Sequence, residues 1–178
     1  MLRKRKETMK SSILDKEIIS LINEQIWLEN NASFYYLDLA IKFDKEGFGG
    51  MSTFFSNQSA EEREHMLLLF HYLLEKDATP QLPQYNFMEE TEEEFDVLGY
   101  FIDSLDNERK VTKSINKIVS KCKEIGDHTT ENFMQWFVTE QREEELKFKN
   151  IIDDLTIIGD DGVGLYKINK ELGLIIPE

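Results

Sequence analysis

Four glutamates occupy positions of the sequence where an apolar residue is expected. When each long segment is followed in steps of seven residues, a run of apolar side chains is interrupted by one glutamate near its middle. The four series are Ile22, Glu29, Tyr36 and Phe43; Phe55, Glu62 and Leu69; Phe101, Glu108, Ile115 and Cys122; and Phe137, Glu144 and Ile151. Because helical residues seven apart share one face, the pattern predicts four carboxylates that face the protein interior.

Buried carboxylates need a cationic partner. An ionised carboxylate buried alone costs several kcal/mol, and four of them would exceed the roughly 5 to 15 kcal/mol of stability of a typical domain. We expect no Lys or Arg on these faces at the level of the glutamates. Two divalent metal ions would balance the four negative charges, so the pattern favours a site for two metal ions.

A histidine and a glutamine accompany the glutamates. His65 follows Glu62 by three residues, a spacing that places a carboxylate and an imidazole on one helix face. Gln141 lies one turn before Glu144. One nitrogen ligand among mostly oxygen ligands suits iron or manganese better than a structural zinc site. Iron is therefore the expected metal.

The elements that must position these residues are long helices. Gly and Pro cluster in a few places, and the segments between them predict helices over residues 13–43, 48–76, 92–123 and 128–157, with a short helix at 165–173. The midpoints of the four long helices lie close to the four glutamates, which should therefore meet at one level. The sequence predicts an all-α fold, a four-helix bundle with a short C-terminal fifth helix.

The connection between the second and third helices is long. Residues 77–91 can span about 50 Å when extended, whereas the second helix is roughly 43 Å long. This connection can cross the bundle and allow the two helices to run parallel, and Pro80 and Pro83 favour an extended chain. The alternative is a mobile loop between antiparallel helices.

Composition restricts the partners and the compartment. A chain of 178 residues fits one domain, and 35 acidic against 21 basic residues give a formal charge of −14. This charge argues against nucleic acid and anionic membranes as partners. The single cysteine, Cys122, excludes an intrachain disulfide and fits a reducing compartment. Because no membrane span or export signal is recognisable, we expect a cytoplasmic protein.

Four segments resemble those of prokaryotic non-haem ferritins. They are INEQIWLE at 22–29, AEEREHM at 60–66, QWFVTEQREEELKF at 135–148 and GVGLYKINKEL at 162–172. The resemblance covers nearly all of residues 13–175. It implies that residues 13–178 form a ferritin-like di-iron domain with one long crossover. Residues 1–12 are expected to form a basic, disordered tail.

The resemblance also implies roles for individual residues at an iron-oxidising (ferroxidase) centre. Glu29, Glu62 and His65 would bind a first iron. Glu62 would bridge to a second iron held by Glu108 and Glu144.

Further residues would surround this pair of irons. Gln141 would lie beside it, and Tyr36 would supply a hydrogen bond or an electron. The resemblance also implies a third iron site, formed by Glu61, Glu140, Glu143 and the shared Glu144.

The implied function is iron storage with ferroxidase activity. Fe²⁺ would be oxidised by O₂ or peroxide, and Fe³⁺ would be stored as a mineral inside a hollow homo-oligomeric cage of about 24 subunits. No haem is expected, because Met51 lies upstream of the Glu62 and His65 motif and does not match the haem ligand of bacterioferritins. One alternative is a non-cage di-iron oxidase or peroxidase of the same fold. Another is a structural helical adaptor whose glutamates face solvent.

Overall fold

The protein is built from α-helices throughout the part of the chain that the structure describes. A computed structural model describes residues 13–82 and 94–175. The helices in these ranges are α1 (Lys16–Lys45), α2 (Gly49–Glu75), α3 (Val97–Ile125), α4 (His128–Ile158) and α5 (Gly162–Leu172). None of them is long and apolar enough to cross a membrane. The predicted all-α fold of four long helices and a short fifth one is confirmed.

Aspartate side chains set the start of four of these helices. Each accepts a hydrogen bond from a backbone N–H of the first turn, which would otherwise lack a partner. The capping residues are Asp15, Asp96, Asp127 and Asp161. Asp96 fixes the start of α3 at Val97, so the predicted start at residue 92 was wrong: residues 94–96 are not helical, and 92–93 lie outside the described residues.

Two apolar clusters define the directions of the helices. One contains the beginnings of α1 and α4 and the ends of α2 and α3, with Ile18, Leu73, Ile118 and Met134. The other contains the opposite ends and is rich in aromatic rings, with Phe43, Phe55, Phe101 and Phe148.

These clusters require α2 and α3 to run parallel to each other and antiparallel to α1 and α4. The chain must therefore cross the bundle between α2 and α3, and the predicted long crossover is confirmed. Residues 83–91 of that connection lie outside the described residues, so their predicted extended conformation is not tested.

The short helix α5 packs against the beginning of α2 at the aromatic end of the bundle. A β-carbon at Gly50 would lie 1.6 Å from the backbone oxygen of Asn169. The Asn169 Oδ1 atom also accepts a hydrogen bond of 2.9 Å from the Met51 backbone N–H. Any larger residue at position 50 would therefore push α5 off the bundle.

Candidate metal centre

All four glutamates of the seven-residue series are buried between the two apolar clusters. Glu29, Glu62, Glu108 and Glu144 come from α1, α2, α3 and α4 respectively. None is more than 1 % exposed. The apolar members of the same series are buried as well. The periodicity therefore correctly predicted which helix faces are interior.

One cluster of potential ligand atoms joins α1 and α2. Glu29, Glu62 and His65 each offer one ligand atom, and these atoms lie within 4.8 Å of one another. The His65 Nδ1 atom is 3.5 Å from the Glu62 Oε2 atom. The imidazole ring stands edge-on to Trp136, with 5.4 Å between ring centroids. Two carboxylates and one imidazole can therefore share one metal ion at this point.

The carboxylate of Glu108 is held by donors from two other helices. The Tyr36 hydroxyl donates to its Oε1 atom. The Gln141 side-chain nitrogen donates to its Oε2 atom at 3.0 Å and to its backbone oxygen at 3.2 Å. The Tyr36 ring is itself stacked on Phe148, with centroids 5.8 Å apart. Tyr36 and Gln141 thus fix the orientation of the third carboxylate.

Three of the four glutamates keep a buried oxygen without a hydrogen-bond partner among the described residues. These atoms are Glu29 Oε2, Glu62 Oε1 and Glu144 Oε2. Buried polar atoms in folded proteins are nearly always hydrogen-bonded. Oxygen atoms on three helices that lack such partners fit the needs of metal ions that prefer oxygen ligands. We call the four glutamates together with His65 the inner group.

Burial raises the pKa of every carboxyl in the inner group. Desolvation, reinforced by the neighbouring Glu62, raises the pKa of Glu29 well above its ordinary value. Desolvation and the nearby Glu108 do the same to Glu62. Desolvation also raises the pKa of Glu108, and it raises that of Glu144 to about 7. Any of these carboxyls that is protonated must release its proton when it binds a metal ion.

A lysine lies beside the inner group, contrary to the expectation that no cation would be found at this level. The Lys147 ammonium donates to Glu144 Oε1 at 2.6 Å and to Glu61 Oε2 at 3.4 Å. The expectation was wrong because a lysine side chain reaches past one helical turn, and Lys147 follows Glu144 by three residues. One ammonium balances only one of four carboxylates, so the requirement for further cations stands.

A second cluster of potential ligands adjoins the first. Glu61, His65 and Glu140 each offer one ligand atom, all within 4.8 Å of one another. Both glutamates are partly buried, and we call these three residues the outer group. Glu143, predicted for the same site, does not join them: its side chain is 48 % exposed and pairs with Arg142 at 3.0 Å.

Gln25 was missed by the sequence analysis. Its side-chain nitrogen donates to Glu29 Oε1 at 2.7 Å, and the residue is fully buried. Gln25 precedes Glu29 by four residues, so it shares the helix face of that glutamate. Gln25 and Lys147 would both have been found by inspecting the residues one turn away from each buried glutamate.

A bundle of four long helices with glutamates and a histidine at its centre defines the class of ferritin-like helical metal-binding proteins. The family model described as "Ferritin-like domain" matches residues 19–158. The match covers more than half of the chain. This protein belongs to the ferritin family.

Individual relatives agree with this assignment. A probable bacterial non-heme ferritin-like protein of Haemophilus influenzae is 38 % identical over 162 residues, which cover 90 % of this chain and 96 % of the relative. The bacterial non-heme ferritin of Escherichia coli O157:H7 is 37 % identical over 164 residues, which cover 92 % and 98 %.

A solved structure of an open pore ferritin from the archaeon Archaeoglobus fulgidus is also similar, with a TM-score of 0.85 at 32 % identity. The match covers 92 % of this chain and 99 % of that chain. The predicted resemblance to prokaryotic non-haem ferritins is confirmed.

Proposed function

We propose that this chain is a subunit of an iron-storage protein that oxidises Fe²⁺ at the inner group. The observation that carries the proposal is the convergence of four buried glutamates from four helices, three of them with an unpartnered oxygen. Membership of the ferritin family supports iron as the metal. Iron is the substrate of this reaction and the stored cargo.

The geometry supports two adjacent Fe²⁺ positions within the inner group. Glu29, Glu62 and His65 would hold the first ion, since their ligand atoms already lie within 4.8 Å of one another. Glu108 and Glu144 would hold the second. Glu62 would bridge the two, since its Oε2 atom lies 3.5 Å from His65 Nδ1 while its buried Oε1 atom has no hydrogen-bond partner among the described residues.

The oxidation is balanced by electrons from iron and by protons. Two Fe²⁺ ions give one electron each, and with two protons they reduce O₂ to H₂O₂; with H₂O₂ as the oxidant, the same electrons and two protons give two molecules of water. The inner carboxyls lose their protons as iron binds. Tyr36 and Gln141 keep Glu108 oriented throughout. A third iron would bind at the outer group.

Exposed apolar residues support assembly into a closed shell. Along α1, Trp27, Phe34 and Ile41 recur every seven residues, and each is at least 42 % exposed. Leu67 and Leu74 are exposed at the same spacing on α2. Apolar rows of this kind on a protein surface mark protein contacts. We propose a homo-oligomeric cage of about 24 subunits whose cavity holds the Fe³⁺ mineral.

Aerobic addition of Fe²⁺ to the purified protein tests the proposal. We expect soluble ferric product at many irons per chain, on a particle whose size in gel filtration corresponds to a large closed assembly. A ceiling of two irons per chain, or a small oligomer, would exclude storage. That result would instead favour a non-cage oxidase or peroxidase of the same fold.

A further inference from the structure

Lys147 connects the inner and outer groups. Its ammonium bonds Glu144 of the inner group at 2.6 Å and Glu61 of the outer group at 3.4 Å. The lysine side chain is 28 % exposed, whereas that of Glu61 is 16 % and that of Glu144 is 1 % exposed. The charged end of the lysine thus lies among carboxylates, at the boundary between the interior and solvent.

We propose that the Lys147 ammonium is a tethered counter-ion of the outer group, which a metal ion must displace before it can bind there. The inference rests on the proposed function and assigns a new role to a residue outside the expected ligand set. Lys147 is a positioning and specificity residue rather than a ligand, since an ammonium has no lone pair to offer.

The two oxygens of Glu144 show why the lysine affects one position more than the other. Its Oε2 atom has no partner among the described residues, while its Oε1 atom accepts the hydrogen bond from Lys147. A metal ion in the inner group can therefore bind Glu144 through Oε2 and leave the lysine in place. A metal ion in the outer group would bind the Glu61 carboxylate, whose Oε2 atom already accepts hydrogen bonds from Lys147 at 3.4 Å and from Gln58 at 2.5 Å, so the metal ion and the ammonium would compete for one carboxylate.

The lysine is also able to leave. A lysine carries its charge on a flexible four-carbon stem, and charge-assisted hydrogen bonds near solvent are exchanged for hydration at modest cost. Because Lys147 is already partly exposed, its ammonium can turn outward when a divalent cation arrives. The inner group should therefore fill first, and the outer group only at higher metal concentration.

A calorimetric titration of the full-length assembled protein with Zn²⁺ tests this inference, since Zn²⁺ is not oxidised and no turnover interferes. The titration should resolve an inner and an outer class of Zn²⁺ sites. The class whose Zn²⁺ affinity falls in the variant Glu140→Gln is assigned to the outer group. In Lys147→Met we expect the outer class to bind Zn²⁺ about tenfold more tightly, a difference of roughly 1.4 kcal/mol. The inner class should change less, because only one of its four carboxylates contacts the lysine.

Two further variants separate charge from structure. Lys147→Arg keeps the positive charge and should retain the weak outer affinity of the wild-type protein. Lys149→Met removes an exposed lysine that pairs with Asp153 on the same helix, and it should leave both classes unchanged. Lys147→Gln, a neutral polar variant, should show the same tighter outer Zn²⁺ binding as Lys147→Met. It replaces Lys147→Met in the test if that variant does not assemble.

The possible outcomes are distinct. Equal outer affinities in the wild-type protein and in both neutral variants would overturn the inference, and so would weaker binding in those variants. A wild-type protein with no Zn²⁺ binding beyond that of its surface carboxylates would overturn the proposed function itself. Tighter outer binding confined to the neutral variants at position 147 would support the role of Lys147.

Discussion

The inner and outer groups are adjacent, but their carboxylates differ in burial and in their hydrogen-bond partners. All four glutamates of the inner group are buried, and three of them keep an oxygen atom without a hydrogen-bond partner among the described residues. Glutamates of the outer group are partly exposed, and Glu61 already contacts a lysine of the chain itself. Lys147 contacts only one of the four carboxylates of the inner group, which therefore needs further cations, whereas it contacts one of the two carboxylates of the outer group.

Because of this difference, we expect the two groups to differ in how tightly they bind divalent cations and in how easily they exchange them. Dry carboxylates with raised pKa values bind divalent cations strongly once they lose their protons, because little water screens the attraction. Partly exposed carboxylates, one of them paired with a lysine, bind more weakly, but they exchange their cation easily. Under the proposed function, the inner group would hold iron for oxidation, and the outer group would pass it on.

The largest expected effect is the loss of a ligand from the inner group. Glu62→Ala removes the carboxylate that would bridge the two irons, so the initial rate of aerobic Fe²⁺ oxidation should fall at least about 100-fold, given that changes beyond the direct ligands already cost 10- to 100-fold. Stopped-flow absorbance measures the rate.

The matched control is Glu64→Ala, which removes an exposed glutamate of the same helix and should leave the rate unchanged. Gel filtration should show the same oligomer for both variants. An unchanged oxidation rate in Glu62→Ala would remove the assignment of the inner group.

A smaller effect is expected when the support of Glu108 is weakened. Tyr36→Phe keeps the ring that stacks on Phe148 but removes the hydroxyl that donates to Glu108. Oxidation should slow by about tenfold, within the range for residues that orient a ligand. The number of Zn²⁺ ions bound in calorimetry should stay the same. A rate equal to that of the wild-type protein would show that the hydroxyl has no part in the reaction.

The raised pKa values of the inner group predict an unusual dependence of stability on pH. The pKa of Glu144 rises from 4.5 to about 7 on burial, so the folded protein holds a proton that the unfolded chain releases. Stability conferred by the protonated carboxyl is present below pH 4.5 and is lost as the pH rises towards 7 and beyond. With a chelator present, the melting temperature should be a few degrees lower at pH 8 than at pH 6.

Two comparisons sharpen this prediction. Glu62→Gln removes one of the buried charges and should flatten the decline of the melting temperature with pH. Saturating Zn²⁺ should abolish the decline by binding the ionised carboxylates of the folded state. A melting temperature that increased between pH 6 and pH 8 with chelator present would contradict the raised pKa values.

The smallest effect concerns the boundary of the outer group. Glu143 is half exposed and pairs with its neighbour Arg142, whereas Glu140 lies within the outer group. Glu143→Gln should therefore weaken outer Zn²⁺ binding by no more than about threefold, the size expected for an exposed charge. Glu140→Gln should weaken it by more. Equal losses in the two variants would extend the outer group to Glu143.

The fold and the burial of the inner group were predictable because both follow from periodicity. One face of each helix is apolar at every seventh position, and a glutamate at such a position must be buried with the face. The same logic placed Glu29 and Glu108 at one level although they are far apart in sequence. The period of the apolar side chains and the lengths of the helices were sufficient to predict the burial of the four glutamates and their common level.

Three features were not predictable on that basis. Lys147 and Gln25 lie off the seven-residue series by one turn, and only their long side chains bring them to the site. The start of α3 was placed too early, because a local hydrogen bond from the Gly99 backbone N–H to Asp96, rather than the hydropathy pattern, ends the preceding segment. The spacing of apolar residues along the sequence does not reveal contacts that long or capping side chains make.

Anomalous diffraction at the iron edge, from crystals exposed to Fe²⁺ without oxygen, would show whether the four buried glutamates bind iron. We predict two iron peaks per chain at the middle of the bundle, with Glu62 in contact with both and a weaker third peak at the outer group. Iron found only at surface carboxylates, with the four buried glutamates in contact with none, would contradict it.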